Sequence, residues 1–188
     1  MEGPERTTAA ADVRVVVDAQ IALAMFLVRR DRPRASPTQR LLLRLLARPT
    51  FRWLWTPDII ADYERGAVAI EQDSRLMRRA AFDRQGFRLL LAALQVHPPV
   101  SVSVTTLREA RQQIAQAAHP RQQDLDDAIY LACAVDGGAE VLTSYDATLL
   151  AVGERYAGVR IVPWPAFVAD MQARGLLAPG PEEPPESA

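Results

Sequence analysis

The chain has 188 residues, of which 49% are hydrophobic and 24% are charged, and this composition fits one globular domain with a sizeable core. Its one cysteine, Cys133, excludes an internal disulfide and a cluster of thiolate ligands, and it favours a reducing, cytoplasmic location. No apolar run approaches the roughly 20 residues that a membrane-spanning helix requires, so we expect no membrane partner.

The charge is distributed unevenly, although the formal net charge is only −1. All 22 basic residues are arginine, and residues 13–175 carry 21 of them against 17 acids. Eight of these arginines lie in the segment 29–52, which holds a single acid. A solvated surface is one interpretation of that segment, and a phosphate-binding patch is the other, because the forked guanidinium group suits phosphate. Arg29 and Arg30 are the candidate substrate-binding residues.

Strand and helix patterns alternate along the chain. The β-branched run 13–17 predicts a buried parallel strand, and a helix is predicted directly after it at 19–28. Further strands are predicted at 51–55, 100–104, 140–143 and 159–162, and further helices at 38–47, 58–67, 71–81, 86–96, 105–117, 128–135, 147–152 and 166–173. This order predicts an α/β fold, a three-layer α/β/α sandwich with a central, mostly parallel sheet of about five strands.

One domain accounts for the predicted elements. We expect residues 13–175 to form it, with a disordered leader at 1–12 and a disordered acidic tail at 176–188.

Acidic residues stand where predicted strands end or helices begin. Asp18 follows the first strand, Asp146 follows the strand 140–143, and Asp124, Asp126 and Asp127 precede the helix 128–135. The helix 58–67 adds Asp62 and Glu64, and its spacing does not decide which of them faces the sheet edge. In open α/β sheets, ligands bind at the carboxyl ends of the strands. Asp is also a common helix N-cap, so Asp18 alone leaves both interpretations open.

Converging carboxylates would repel one another unless a cation joined them. Mg²⁺ or Mn²⁺ prefers such oxygen ligands, lowers the pKa of a bound water and neutralises charge on a phosphodiester. The two histidines, His97 and His119, stand apart and do not indicate a zinc site.

Four segments in order resemble the pattern of the PIN domain family: VVVDAQIAL, TPDIIADYERG, DLDDAIYLACA and VLTSYDATLL. The resemblance spans residues 13–170 and is greatest to PIN proteins of toxin–antitoxin pairs, a subgroup that the later segment IVPWPAFV also fits. It implies a metal-dependent endoribonuclease, with RNA as substrate, Mg²⁺ or Mn²⁺ as cofactor and an antitoxin protein as partner. A homodimer is a further expectation.

The resemblance also implies roles for individual residues. Asp18, Asp127 and Asp146 match the first, third and fourth acids of the family and are the expected metal ligands. Asp62 matches the second acid, with Glu64 as the alternative. Asp126 and Thr143 are expected to support the site.

The chain departs from the family pattern after its first acid. Ala19 and Gln20 stand where Thr or Ser and then Asn are usual, and Asp62 is one methylene shorter than the more common Glu. A second hypothesis follows from these departures, namely a PIN-like module that binds RNA or a protein but cuts poorly.

Overall fold

The computed structural model describes residues 12–30, 37–117 and 125–177. Asp124, His119 and most of the predicted leader and tail lie outside the described residues. Leu177 is 2% exposed and packs in the core, so the folded region extends beyond the predicted boundary at 175. No helix within the described ranges is both long and apolar enough to span a membrane.

The centre of the fold is a five-stranded sheet with the order β3-β1-β5-β7-β6. Its strands are β1 (Val13–Val17), β3 (Phe51–Trp53), β5 (Val141–Ser144), β6 (Arg155–Tyr156) and β7 (Val159–Pro163). The pairings β3–β1, β1–β5 and β5–β7 are parallel, and only the edge strand β6 runs antiparallel to its neighbour β7. The predicted α/β fold with a mostly parallel five-stranded sheet is therefore confirmed.

Helices flank this sheet. In the described part of the chain they are α1 (Ala19–Ala24), α2 (Pro37–Leu46), α3 (Pro57–Gln72), α4 (Ser74–Arg79), α5 (Arg84–Leu94), α6 (Val104–Ala117), α7 (Ala128–Asp136), α8 (Ala147–Ala151) and α9 (Trp164–Ala173). A short 3₁₀ turn, Leu125–Asp127, leads into α7. Helix α7 is the most deeply buried, since six of its nine residues are buried, and this explains why its sequence is apolar on every face.

Local chemistry explains the boundaries that the site depends on. Val15, Val16 and Val17 are fully buried between the two neighbouring parallel strands, as a β-branched central strand requires. Thr56 caps α3 by accepting a hydrogen bond from the backbone N–H of Ile59, and Pro57 occupies the first turn, where its missing N–H costs nothing. Gly138, with φ of 60°, lies just beyond the end of α7.

The two helices predicted at 19–28 and 71–81 extend beyond the observed C-terminal ends, so both predictions were wrong there. Helix α1 ends at Ala24, and Leu27–Arg29 forms β2, which pairs antiparallel with β4 (Ala80–Phe82) in a second, two-stranded sheet. Phe26 contacts Phe82 and Phe87 edge-on beside this pair, and the rings of Phe82 and Phe87 are tilted against each other. The pairing joins segments about fifty positions apart, so local periodicity does not reveal it.

The predicted strand at 100–104 was also wrong. Residues 100–103 lie outside the strands, and α6 begins at Val104. The backbone N–H of Val100 does donate to the Trp55 carbonyl at 2.8 Å, but the preceding Pro98 and Pro99 have no N–H to extend a ladder. The fifth strand of the sheet is Arg155–Tyr156 instead.

Tyr63 of α3 ties the helical layer to the end of β1, because its buried hydroxyl donates to the backbone carbonyl of Val17. We expect Tyr63→Phe to lower the free energy of unfolding by about 1–3 kcal/mol, since it leaves a buried carbonyl without this donor. Chemical denaturation would measure the change. Tyr145→Phe is the matched control, because Tyr145 is 48% exposed and its hydroxyl should contribute less than about 0.5 kcal/mol. Equal effects of the two substitutions would contradict the role given to Tyr63.

Candidate active site

Asp18 lies at the carboxyl end of β1 and is only 3% exposed. It is the N-cap of α1, and its Oδ1 accepts a long hydrogen bond of 3.4 Å from the backbone N–H of Gln20. Its other oxygen, Oδ2, accepts a hydrogen bond of 2.6 Å from the hydroxyl of Ser144, the last residue of β5. Asp18 is therefore the N-cap of α1, one of the two interpretations that the sequence left open, and its role as an active carboxylate stays a prediction.

Asp146 stands at the end of the neighbouring strand and caps α8. Its Oδ1 accepts hydrogen bonds from the backbone N–H groups of Thr148 at 2.6 Å and Leu149 at 3.4 Å. Its own backbone N–H donates to the Ser144 hydroxyl oxygen at 2.7 Å, so Ser144 links the turns of both acids. Gln20 also donates a long hydrogen bond of 3.4 Å from Nε2 to Asp146 Oδ2. The residue that departs from the family pattern thus contacts an acid of the site.

The electrostatics of this pair favour an added positive charge. Burial raises the pKa of the Asp18 carboxyl, the Ser144 hydrogen bond lowers it in part, and the nearby charge of Asp146 raises it again. Within the described residues, the groups that hydrogen-bond to Asp18 are a hydroxyl and a backbone N–H. Among the residues that the structure describes, the ionised form of Asp18 therefore has no cationic partner of the kind that a buried carboxylate normally needs.

A second group of acids surrounds a cavity of about 550 Å³, the acid cavity, between α3, α6 and the start of α7. Four acids line it: Asp58, Asp62, Asp126 and Asp127. Two arginines, Arg65 and Arg111, line the same cavity together with Leu107 and Ile129. Acidic oxygens that can bind a cation and guanidinium groups that can bind phosphate therefore share one opening.

Two tyrosines connect the acid cavity with the Asp18 pair. The buried hydroxyl of Tyr130 donates to Asp62 Oδ2 at 2.6 Å, and the Tyr130 ring stacks on that of Tyr63 with centroids 6.4 Å apart. Burial raises the pKa of the Tyr130 phenol far above its usual range, and the charges of Asp62 and Asp18 raise it further. Both carboxylates thus lie close enough to act on the same phenol, which stays protonated and donates to Asp62.

The structure separates the two candidates for the second acid. Asp62 lines the acid cavity, where Arg65 Nη2 also contacts its Oδ1 at 3.0 Å. Glu64 lies on the outer side of α3, in a shallow groove with Ala61, Arg65, Val68, Ala69 and Gln72. The geometry therefore favours Asp62 for this position, and its catalytic role remains a prediction.

Three other predicted residues lie away from the acid cavity. Thr143 is fully buried, and within the described residues its hydroxyl oxygen has no hydrogen-bond partner. Arg29 and Arg30 line a separate cavity with Arg78 and Arg79. Their predicted roles stay predictions, but neither arginine lines the cavity that holds Asp62 and Asp127.

The donor chemistry of the site fits a hard divalent cation, although the described residues do not assemble a complete ligand set. Asp18, Asp127 and Asp146 supply carboxylate oxygens, the ligands that Mg²⁺ and Mn²⁺ prefer. Such an ion would also stabilise the buried negative charge of Asp18. Among the described residues, no group of three or more acids, histidines or cysteines stands in a metal-binding arrangement.

Sequence reasoning did not identify Ser144, Tyr130, Arg65 and Arg111. Ser144 neighbours the predicted Thr143, and strand alternation places their side chains on opposite faces, so only the register could distinguish them. Tyr130 follows Asp127 by three positions, and Arg111 follows Leu107 by four. These helical spacings place each pair on one face and offered a signal that could have been used.

The raised pKa of Asp18 gives a pH-dependent contribution to stability. A carboxyl whose folded pKa is raised contributes stability below its unfolded pKa, and this contribution is lost as the pH rises through the folded value. We therefore expect Asp18→Asn, which keeps an oxygen for Ser144, to have a higher Tm than the wild type at pH 7.5 in EDTA. The gain should shrink as the pH falls toward 4. Thermal melts across this range would measure it, and a variant that is less stable than the wild type at pH 7.5 would contradict the electrostatic account.

Comparison of the chain with curated proteins gives no significant match. A family model described as PIN domain matches residues 14–148, which is more than half of the 188 residues. The matched region includes Asp18, Asp62, Asp127 and Asp146, and it covers the sheet edge and the acid cavity described above. The chain therefore belongs to the PIN domain family.

Proposed function

We propose that this protein is a metal-dependent endoribonuclease and the toxin component of a toxin–antitoxin pair. The observation that carries the nuclease proposal is the buried Asp18 carboxylate, which meets the Asp146 turn through Ser144 without a cationic partner among the described residues. PIN domains are generally metal-dependent nucleases, which supports the same reaction class. The toxin assignment is supported by the resemblance of the four sequence segments to that subgroup.

Asp18, Asp127 and Asp146 would hold Mg²⁺ or Mn²⁺, with Asp62 and Asp126 beside them. The ion supplies Lewis-acid chemistry, which lowers the pKa of a water and neutralises charge on the phosphodiester. Ser144 fixes the orientation of Asp18 through its hydroxyl, and the backbone N–H groups of Thr148 and Leu149 fix Asp146. These donors hold the Asp18 and Asp146 carboxylates in fixed orientations before an ion binds.

The remaining groups of the cavity orient the substrate and its acids. Tyr130 donates to Asp62 and so holds one of its oxygens in a fixed position on the wall of the cavity. Arg111 and Arg65 line the opening and can bind the non-bridging oxygens of the scissile phosphate. The arginines also offset the repulsion between the acids and the phosphate backbone.

An RNA substrate, a cytoplasmic location, a homodimer and an antitoxin that blocks the cavity belong to the same proposal. The alternative is a PIN-like module that binds RNA or a protein and cuts poorly, motivated by Ala19 and Gln20. The contact of Gln20 with Asp146 shows how an amide at this position can still orient an acid of the site. Metal binding and turnover must therefore be measured separately.

The central test compares the wild type with Asp127→Asn. We expect Mn²⁺-dependent cleavage of single-stranded RNA by the wild type and a loss of at least about 100-fold in the variant, because a ligand charge at the metal is removed. Glu154→Gln, which neutralises an exposed acid outside the cavity, is the control and should cut like the wild type. Expression of the same three proteins in bacterial cells tests the toxin assignment, since only Asp127→Asn should relieve growth arrest.

Two outcomes of this test oppose the proposal. Equal cleavage by the wild type and Asp127→Asn would end the nuclease assignment for this site. A Mn²⁺-dependent rise in Tm of the wild type without any cleaved product would instead support the binding module.

Arg111→Gln separates substrate binding from metal binding. We expect kcat/KM for RNA to fall by about 10- to 100-fold, because one charge-assisted contact to phosphate is lost. The Mn²⁺-induced rise in Tm should persist, since Arg111 is not a ligand. Arg108→Gln, an exposed position on the same helix that does not line the cavity, is the matched control. A variant that loses the Mn²⁺ response together with cleavage would show that Arg111 maintains the acids and does not contact the substrate.

A further inference from the structure

Four arginines surround a second cavity, the arginine cavity, beside the small antiparallel sheet of β2 and β4. This cavity of about 490 Å³ is lined by Arg29, Arg30, Arg78 and Arg79, together with Leu76 and Ala80. No acid is among the residues of the described chain that line it. A cavity that is lined by four arginines has the opposite charge to the acid cavity and favours an anionic ligand.

The backbone brings two arginine pairs together from distant parts of the sequence. Arg29 stands opposite Ala80 in the β2–β4 register, and the backbone N–H of Arg30 donates to the Arg79 carbonyl at 3.1 Å. Arg78 and Arg79 form the last turn of α4, where cations are favoured by the helix dipole. The arginine cavity is thus built on two paired strands and a helix end, which fix the positions of its backbone.

The side chain of Arg30 is anchored within this cavity. Its Nε donates to the carbonyls of Met77 and Ala80, each at 3.3 Å. These bonds use Nε, and the two terminal nitrogens of the guanidinium form no hydrogen bond with another residue in the described part of the chain. Such an arrangement preorganises the planar fork that binds phosphate through two parallel hydrogen bonds.

Two of the four arginines, Arg78 and Arg79, differ from the arginines that form ion pairs. Arg84, Arg160 and Arg174 each pair with an acid and so stabilise contacts between elements. Arg78 and Arg79 take part in no ion pair with another described residue, although both are exposed beside further arginines. Like charges held together in this way repel, and a bound polyanion relieves that repulsion.

The position of the arginine cavity relative to the acids favours a chain of phosphates. Asp58 and Asp62 lie in the first turns of α3, and α4 follows directly after its last residue, Gln72. Helix α3 has 16 residues and is therefore about 24 Å long, so a strand that follows it from the Asp58 end toward α4 would cover about that distance. A single strand of about 4–16 nucleotides, the usual length held by proteins that bind without sequence preference, covers such a distance.

We propose that Arg29, Arg30, Arg78 and Arg79 form a second phosphate-binding site that holds the backbone of single-stranded RNA away from the acid cavity. The identity of the anion rests on the proposed ribonuclease function. The site binds several phosphates through guanidinium forks and is independent of the base sequence. Its contribution is affinity and placement of the strand, whereas the acid cavity carries the chemistry.

The test measures binding without cleavage. The full chain is titrated against a fluorescent 16-nucleotide single-stranded RNA in EDTA, by fluorescence anisotropy at several salt concentrations. We expect Arg78→Gln/Arg79→Gln to weaken binding by about tenfold or more at 0.1 M salt. The slope of log K against log salt should fall by about 1.4 in magnitude, because each lost phosphate contact contributes about 0.7 for a single strand.

The control is Arg155→Gln, which removes an exposed arginine on the edge strand β6, outside both cavities. Compared singly, Arg79→Gln should reduce affinity and slope, and Arg155→Gln should leave both near the wild-type values. Unfolding of each variant by denaturant checks that stability stays within about 0.5 kcal/mol, as expected for exposed positions.

Three results would overturn the proposal: wild-type affinity and slope in the double variant, equal losses in Arg79→Gln and Arg155→Gln, or displacement of RNA by polyglutamate at equal charge concentration. The last would assign the arginine cavity to an acidic protein partner. Because binding is measured in EDTA, a protein that binds RNA through these arginines but never cuts it would contradict the nuclease proposal alone.

Discussion

The Asp18 carboxylate is the group on which the organisation of the site depends. Asp18 follows the end of β1 and is 3% exposed, and a carboxylate in such a place is costly unless hydrogen bonds and opposite charge compensate. Ser144 supplies a strong hydrogen bond, whereas Asp146 brings a second negative charge toward it. Among the described residues, the fold therefore leaves the negative charge of Asp18 without a compensating positive charge at the sheet edge. This uncompensated charge destabilises the fold when no cation is bound. Such a cost is expected where a bound cation is part of the function.

The aromatic side chains between the two acid groups determine how rigid this arrangement is. Tyr63 reaches from α3 to the carbonyl of Val17, the residue before Asp18, and stacks on Tyr130 of α7. Tyr130 in turn donates to Asp62. Burial keeps both phenols protonated at neutral pH, so both remain hydrogen-bond donors. One buried pair of rings thus couples the end of β1 to α3 and α7, and neither layer can shift without breaking a buried hydrogen bond.

Those parts of the fold that depend on local chemistry could be predicted from the sequence. Three local patterns each predict their structure from a few neighbouring residues: the valine run of β1, the Thr56 cap of α3 and the apolar sequence of α7. The β2–β4 pair could not be predicted, because Leu27–Arg29 and Ala80–Phe82 become strands only when they meet. The same distinction between local patterns and contacts made only in the fold applies to the candidate site. Asp18, Asp127 and Asp146 stand at recognisable element ends, but the choice of Asp62 over Glu64 depends on how α3 is rotated against its neighbours. The choice of Ser144 over Thr143 depends likewise on the register of β5.

Acids line one cavity of the molecule and arginines line another, and a nuclease can use this division of charge. A phosphate chain is repelled by a cavity lined with Asp58, Asp62, Asp126 and Asp127, and Arg65 and Arg111 offset this repulsion only at the opening. Affinity that came from the acid cavity alone would therefore depend on the bound ion. In the arrangement proposed above, the arginines of the second cavity would supply binding that does not depend on it, and such contacts can be uniform along the strand because every nucleotide carries a phosphate. Binding energy from a remote part of the substrate can then hold the scissile phosphate against the acids, which is where a PIN nuclease needs it.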